Sequence, residues 1–148
     1  MIRLIRLSFL VVALAGTAIV ACGGGTLSVL HAKSKPKGDG PAHVDIQNHS
    51  GVGIHRIYVA KTTAVDSARL NGVQPGSGED DAVWGNDKLG NDGLPEGHTF
   101  ADLTLPADRY DVLVTDHDNR EQLVKHLLLK PGAKYVLEVG DNWTQARR

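Results

Sequence analysis

From Ala42 onward the apolar residues recur at every second position, and that period decides the fold before anything else does. Val44 and Ile46 share a side in His43 to Asn48, and Ile57 and Val59 share one in Ile54 to Lys61. Ala101, Leu103 and Leu105 align in His98 to Leu105, and Tyr110, Val112 and Val114 align in Arg109 to Asp116. Glu121 to Leu129 follows as a partner strand, and Tyr135, Leu137 and Val139 align in Lys134 to Val139. Successive side chains of an extended chain point to opposite faces, so this alternation marks strands with one face buried. Turn-forming residues separate them at Asn48-His49-Ser50-Gly51, Pro106-Ala107-Asp108, Asp116 to Arg120 and Lys130-Pro131-Gly132-Ala133. Six strands roughly ten residues apart, with no convincing helical stripe, predict an all-β fold: a single antiparallel β-sandwich over residues 42–141.

Composition sets what can fill it. Two Trp, three Tyr and two Phe among 148 residues leave a core of Val, Leu and Ile, and the length suits one domain. Seventeen Gly and six Pro suit short strands joined by many turns.

The chain begins differently. Met1 to Arg6 carries Arg3 and Arg6, Leu7 to Val20 is uncharged and mostly aliphatic, and Ala21-Cys22 ends the run. A positive flank, a short apolar stretch and a small-residue boundary are the parts of a secretory signal. A helix over Leu7 to Val20 would rise about 21 Å, short of the roughly 30 Å hydrocarbon core, so residues 1–21 are expected to be a removable signal rather than a span.

Ile19-Val20-Ala21-Cys22, followed by Gly23, resembles the lipobox of bacterial lipoproteins. The resemblance implies a diacylglycerol on the Cys22 thiol, cleavage after Ala21 and an acylated amine on Cys22. Two or three acyl chains, at about 0.8 kcal/mol per buried CH₂, would hold the protein on a bilayer. Gly23 in place of Asp implies the outer membrane, facing the periplasm, by the enterobacterial rule. A lipidated Cys22, the lone cysteine, leaves no thiol for a disulfide, a catalytic cysteine or a zinc cluster.

Residues 22–41 mix glycine, lysine and proline, with a small apolar patch at Leu27, Val29 and Leu30, and are expected to be the lipidated cysteine and a flexible tether. Lys33, Lys35 and Lys37 against Asp39 make this segment basic, whereas Ala42 to Asp141 holds nine Lys and Arg against sixteen Asp and Glu, a net of −7. The domain lacks a basic face with interleaved aromatics, which disfavours nucleic acid. Residues 142–148 are expected to be a tail.

Two further resemblances concern the domain. The run from Leu105 to Val139 is similar to the closing strands of transthyretin-like and carboxypeptidase-regulatory-like modules, a resemblance that implies an Ig-like or transthyretin-like sandwich and a generally non-catalytic binding or spacer unit. Trp84-Gly85-Asn86-Asp87-Lys88-Leu89-Gly90, with Leu94, Gly97 and the Tyr110-Asp111-Val112 strand, resembles an uncharacterised family of small exported bacterial proteins carrying W-G-x-D-x-L-G. This chain departs from that family by the insertion Thr62 to Val83.

Among candidate sites, Glu79 to Gly97 gathers Glu79, Asp80, Asp81, Asp87, Asp92 and Glu96, with Asn86 and Asn91. Oxygen ligands of this kind suit Ca²⁺, and Asp80, Asp81, Asp87 and Asp92 are the candidate ligands, although the EF-hand spacing is absent. Trp84 and Asn86 are candidate binding residues, with Trp84 read first as a plug closing one end of the sandwich beside Leu89 and Leu94. Seven histidines show none of the spacings of a zinc site, and no nucleophile elbow or phosphate loop follows a strand. The expectation is a non-enzymatic, cofactor-free envelope lipoprotein. Its sandwich is a binding or structural module for another envelope protein. The alternative is a calcium-dependent or small-ligand-binding domain using the Glu79–Gly97 loop.

Overall fold

A computed structural model describes residues 26–73 and 81–145 of the chain. The alternating segments are strands β2 (Ala42–Asn48), β3 (Ile54–Lys61), β4 (Thr99–Leu105), β5 (Asp108–Asp116), β6 (Arg120–Leu129) and β7 (Lys134–Val139). Two short strands join them, β1 (Val29–Ala32) and β8 (Thr144–Gln145). One sheet has the order β1-β7-β2-β4 and the other β3-β5-β6-β8. The fold is an all-β sandwich, with Val44, Ile46, Leu137 and Val139 of the first sheet meeting Ile54, Ile57, Val112 and Val114 of the second in one core. Neighbouring strands are antiparallel except β2 and β7, which pair in parallel with Val44 opposite Tyr135. Parallel neighbours need a long crossover, and here the chain between them builds β4 of the first sheet and β3, β5 and β6 of the second.

Two bulges follow one design. In β4 the register slips opposite Asp45, and Asp102 there has φ 61°. In β6 it slips opposite Asp111, and His126 has φ 58°. An extra residue takes a backbone N–H out of the ladder. In each sheet a carboxylate of the neighbouring strand accepts it: Asp45 from the Asp102 N–H at 3.0 Å, and Asp111 from the His126 N–H at 2.9 Å.

The segment expected to be a loose tether is partly sheet. Val29–Ala32 pairs antiparallel with β7, Val29 opposite Glu138 and Ala32 opposite Tyr135. The Thr26 N–H and hydroxyl both donate to Asp141, and the Ser28 hydroxyl donates to Gln122 at 2.8 Å. Two glycines seat its ends: a Cβ at Gly140 would strike the Thr26 carbonyl, and one at Gly132 would strike that of Lys37. The strand forms because β7 would otherwise leave an edge unpaired. The expected tail is likewise partly ordered, with β8 against Arg120 and Glu121 of β6.

The insertion after β3 forms helix α1 (Thr62–Leu70), and the four-residue helix α2 (Asp81–Trp84) follows. Helix α1 buries only Thr62 and Val65, too few apolar positions to make a stripe. Both helices lie on the outer face of the second sheet, where Ala60 and Leu113 meet Val65 and Trp84 in a second small core. This cover explains why β5 is buried on both faces from Tyr110 to Val114.

Candidate functional site

Cys22 and Asp80 lie outside the described residues. Of the other acidic-loop residues, Asp81 begins α2, while Asn86 and Asp92 are exposed. Asp87 serves the sheet: its Oδ1 accepts the Ile57 N–H at 2.9 Å and the Leu89 N–H at 3.1 Å. The loop is laced along the open edge of β3 by further bonds. Lys88 donates to the Ile57 carbonyl at 2.8 Å, and Leu94 and Ile54 exchange a pair at 2.8 and 2.9 Å. Buried Asn48 donates to the Leu94 carbonyl at 2.9 Å, and Glu96 accepts the Gly51 N–H at 3.0 Å. An edge strand presents a row of free backbone groups, and this loop covers them. Asp87 and Glu96 are thus turned to different backbone donors, and among the described residues no three His, Cys, Asp or Glu side chains come together as metal ligands would.

Trp84 is 4% exposed and packs against Ala60, Val65 and Leu113 on the outside of the second sheet. It is carried by α2 and buried in this small outer core, against α1 and the sheet, and not in the main core whose end it was expected to close. Leu89 and Leu94 pack elsewhere, in the main core. Other ionisable groups also have structural partners. Buried Asp116 accepts the backbone N–H groups of Asp118 and Arg120 at 2.9 and 2.8 Å, and the Arg120 guanidinium at 2.6 Å. His55 and His117 stack with ring centroids 4.6 Å apart, a pairing that their separation in sequence concealed.

Among the described residues a cleft of about 540 Å³ opens on the side of the sandwich where β1 approaches the end of β6. One wall is Leu30, Ala32 and the chain from Lys33 to Pro36; the other is Leu128, Lys130 and Tyr135. One local and one long-range bond fix the walls. The Lys130 N–H donates to the Tyr135 hydroxyl at 2.9 Å, and the Lys134 N–H donates to the Ser34 hydroxyl at 3.1 Å. Lys33 pairs with Asp45 at 2.9 Å. The Asp102 N–H and this ammonium hold the Asp45 carboxyl below the usual carboxylate range. Among the described residues, no carboxylate lies within 4.0 Å of Lys35 or Lys130, so an otherwise acidic domain carries a cationic rim around an apolar floor. Such a site can take a ligand with apolar bulk and negative charge. It contains no nucleophile and base in hydrogen-bond contact.

Sequence reasoning singled out none of the cleft residues as a site, although the lysine run and the Leu27, Val29, Leu30 patch were visible as features of the expected tether. Among the described residues no helix is long and apolar enough to cross a membrane. No family model, curated protein or solved structure matches this chain.

Proposed function

We propose that this chain is a lipid-anchored protein of the bacterial cell envelope, held by acyl chains on Cys22, whose sandwich is a non-catalytic binding module working through the cleft beside β1. The observation that carries the binding assignment is the contrast in how charged groups are used. The carboxylates Asp45, Asp87, Asp111 and Asp116 hold bulges, an edge and a turn in place, while Lys35 and Lys130 face an open cleft without a partner carboxylate. The anchor is supported by the Arg3-to-Cys22 pattern and its likeness to a lipobox. The likeness to transthyretin-like and carboxypeptidase-regulatory-like modules agrees with a binding role. The outer membrane, facing the periplasm, is the location that Gly23 favours, and another envelope protein is the favoured partner.

Intact-mass analysis of protein extracted from membranes tests the anchor. The expected product lacks residues 1–21 and carries two or three acyl chains, and it enters a detergent phase; Cys22→Ser loses the acyl mass. A bare thiol, or a chain that keeps its first twenty-one residues, overturns the proposal.

A further inference from the structure

We infer that the cleft takes an extended acidic segment of a partner protein, which joins the first sheet as an added strand along β1. The inference rests on the binding role proposed above and is independent of the lipid anchor. β1 is one of the two edge strands of its sheet, at the opposite edge from β4. The Lys33 N–H donates across the ladder to the Lys134 carbonyl at 2.7 Å. Ladder bonds alternate in direction along a strand, so the N–H and C=O of Leu30 and Ala32 point away from β7, toward the open side. Both residues line the cleft.

The facing wall is open in the same way. β8 pairs with β6 only at Arg120 and Glu121, so no described strand covers that side of β6 from Gln122 to Leu129. β8 lies at the Arg120 end of β6, the opposite end from the cleft residues Leu128 and Lys130. The described structure has three exposed large apolar residues, and two of them, Val29 at 38% and Leu128 at 48%, belong to these two strands. Open edges with exposed apolar side chains are templates for pairing.

Charge selects the occupant. Lys33, Lys35 and Lys130 give the cleft one sign, and only Lys33 has a carboxylate partner here. Two copies of this chain meeting at β1 would bring like charges together, a contact that specific interfaces use to reject a wrong partner. A segment with alternating apolar residues and glutamate or aspartate at its ends satisfies the backbone groups, the floor and the rim together. The acidic loop over β3 is excluded as the docking edge, because its own bonds already close that edge.

The test titrates the ¹⁵N-labelled full-length protein, in detergent micelles, with an eight-residue peptide of alternating valine and threonine that has glutamate at both ends. The same peptide with lysine ends is the control. Resonances of Leu30, Ala32 and Leu128 should move with the glutamate peptide, and the lysine peptide should bind at least about tenfold more weakly. The surface double variant K35E/K130E should weaken the glutamate peptide by at least about tenfold and reverse the preference. Ala32→Pro removes an outward N–H and no bond to β7, so it should abolish binding and leave the rest of the spectrum in place. Equal binding of the two peptides, wild-type affinity in both variants, or shifts confined to residues 81–97 overturn the inference. A dimer in sedimentation that Ala32→Pro dissolves also overturns it, since the occupant is then a second copy. Acylated protein that ignores the peptide removes the cleft assignment alone, and unacylated protein that binds it removes the anchor alone.

Discussion

The Asp111 carboxylate accepts the backbone N–H of His126 at 2.9 Å, one strand away and at the point where β6 bulges. The same oxygen accepts the Thr62 hydroxyl at 2.7 Å, so one fully buried side chain ties the bulge to the first residue of α1. Its second oxygen has no hydrogen bond and lies 3.8 Å from the Arg69 guanidinium. Removing the carboxylate strands two donors and a partly buried cation. Asp111→Ala should therefore lower unfolding free energy by about 3 kcal/mol, and Asp111→Asn, which keeps an acceptor, by about half of that. Urea denaturation of the three proteins checks the order.

The bulge itself carries strain. His126 holds φ at 58° without the freedom of glycine, a conformation that costs a non-glycine residue on the order of 1 kcal/mol. The side chain is exposed, so His126→Gly gives up little packing. It should raise unfolding free energy by up to about 1 kcal/mol, read as a higher urea midpoint at an unchanged slope.

Trp84 offers a sharper contrast. Its ring is buried in the small outer core, and its Nε1 has no hydrogen-bond partner. Trp84→Ala should cost about 3–5 kcal/mol through the cavity it leaves. Trp84→Phe keeps most of the apolar volume and removes the unsatisfied N–H, so it should cost less than about 1.5 kcal/mol. Thermal melts distinguish the two, and equal losses would place Trp84 outside the packed interior.

Acid should weaken the domain at specific carboxylates. Among the described residues three titrate below the usual range: the Asp102 N–H and Lys33 lower Asp45, Lys61 and the Arg109 N–H lower Asp108, and Thr26 lowers Asp141. A carboxyl with a lower pKa in the folded chain adds stability above its unfolded pKa and loses it as pH falls through the folded one. Stability should therefore hold above about pH 5 and decline below about pH 4. Lys61, raised by Asp108, works in the opposite sense and loses its contribution as pH rises through the alkaline range. Urea midpoints at several pH values should show a shallower acid decline for Asp45→Asn than for the wild type.

The strand β2 was legible because it turns one face to the core and alternates buried and half-buried positions without a break, and β5, buried on both faces, still aligns Tyr110, Val112 and Val114 on the main core. Helix α1 escaped for the opposite reason, since a helix lying on the outside of a sheet with only Thr62 and Val65 buried needs little apolar periodicity. β1 escaped because its order comes from β7 and from glycines at 132 and 140, whose missing side chains make room for Lys37 and Thr26. The cleft has no local signature at all: Ser34 and Lys134, which join its walls, stand 100 residues apart. The acidic loop showed the converse limit. Its carboxylates cluster in sequence, yet Asp87 and Glu96 turn to different backbone donors.

The pinning of Thr26 to Asp141 sets a short mooring line. With lipid on Cys22, the chain from that cysteine to Thr26 can span at most about 14 Å. The body would then ride close against the leaflet with the Thr26 end inward, and would patrol a plane instead of a volume. Lys33 pairs at the start of β7 and Thr26 lies beyond its end, so the lysines would look outward into the compartment, toward whatever arrives from the far side.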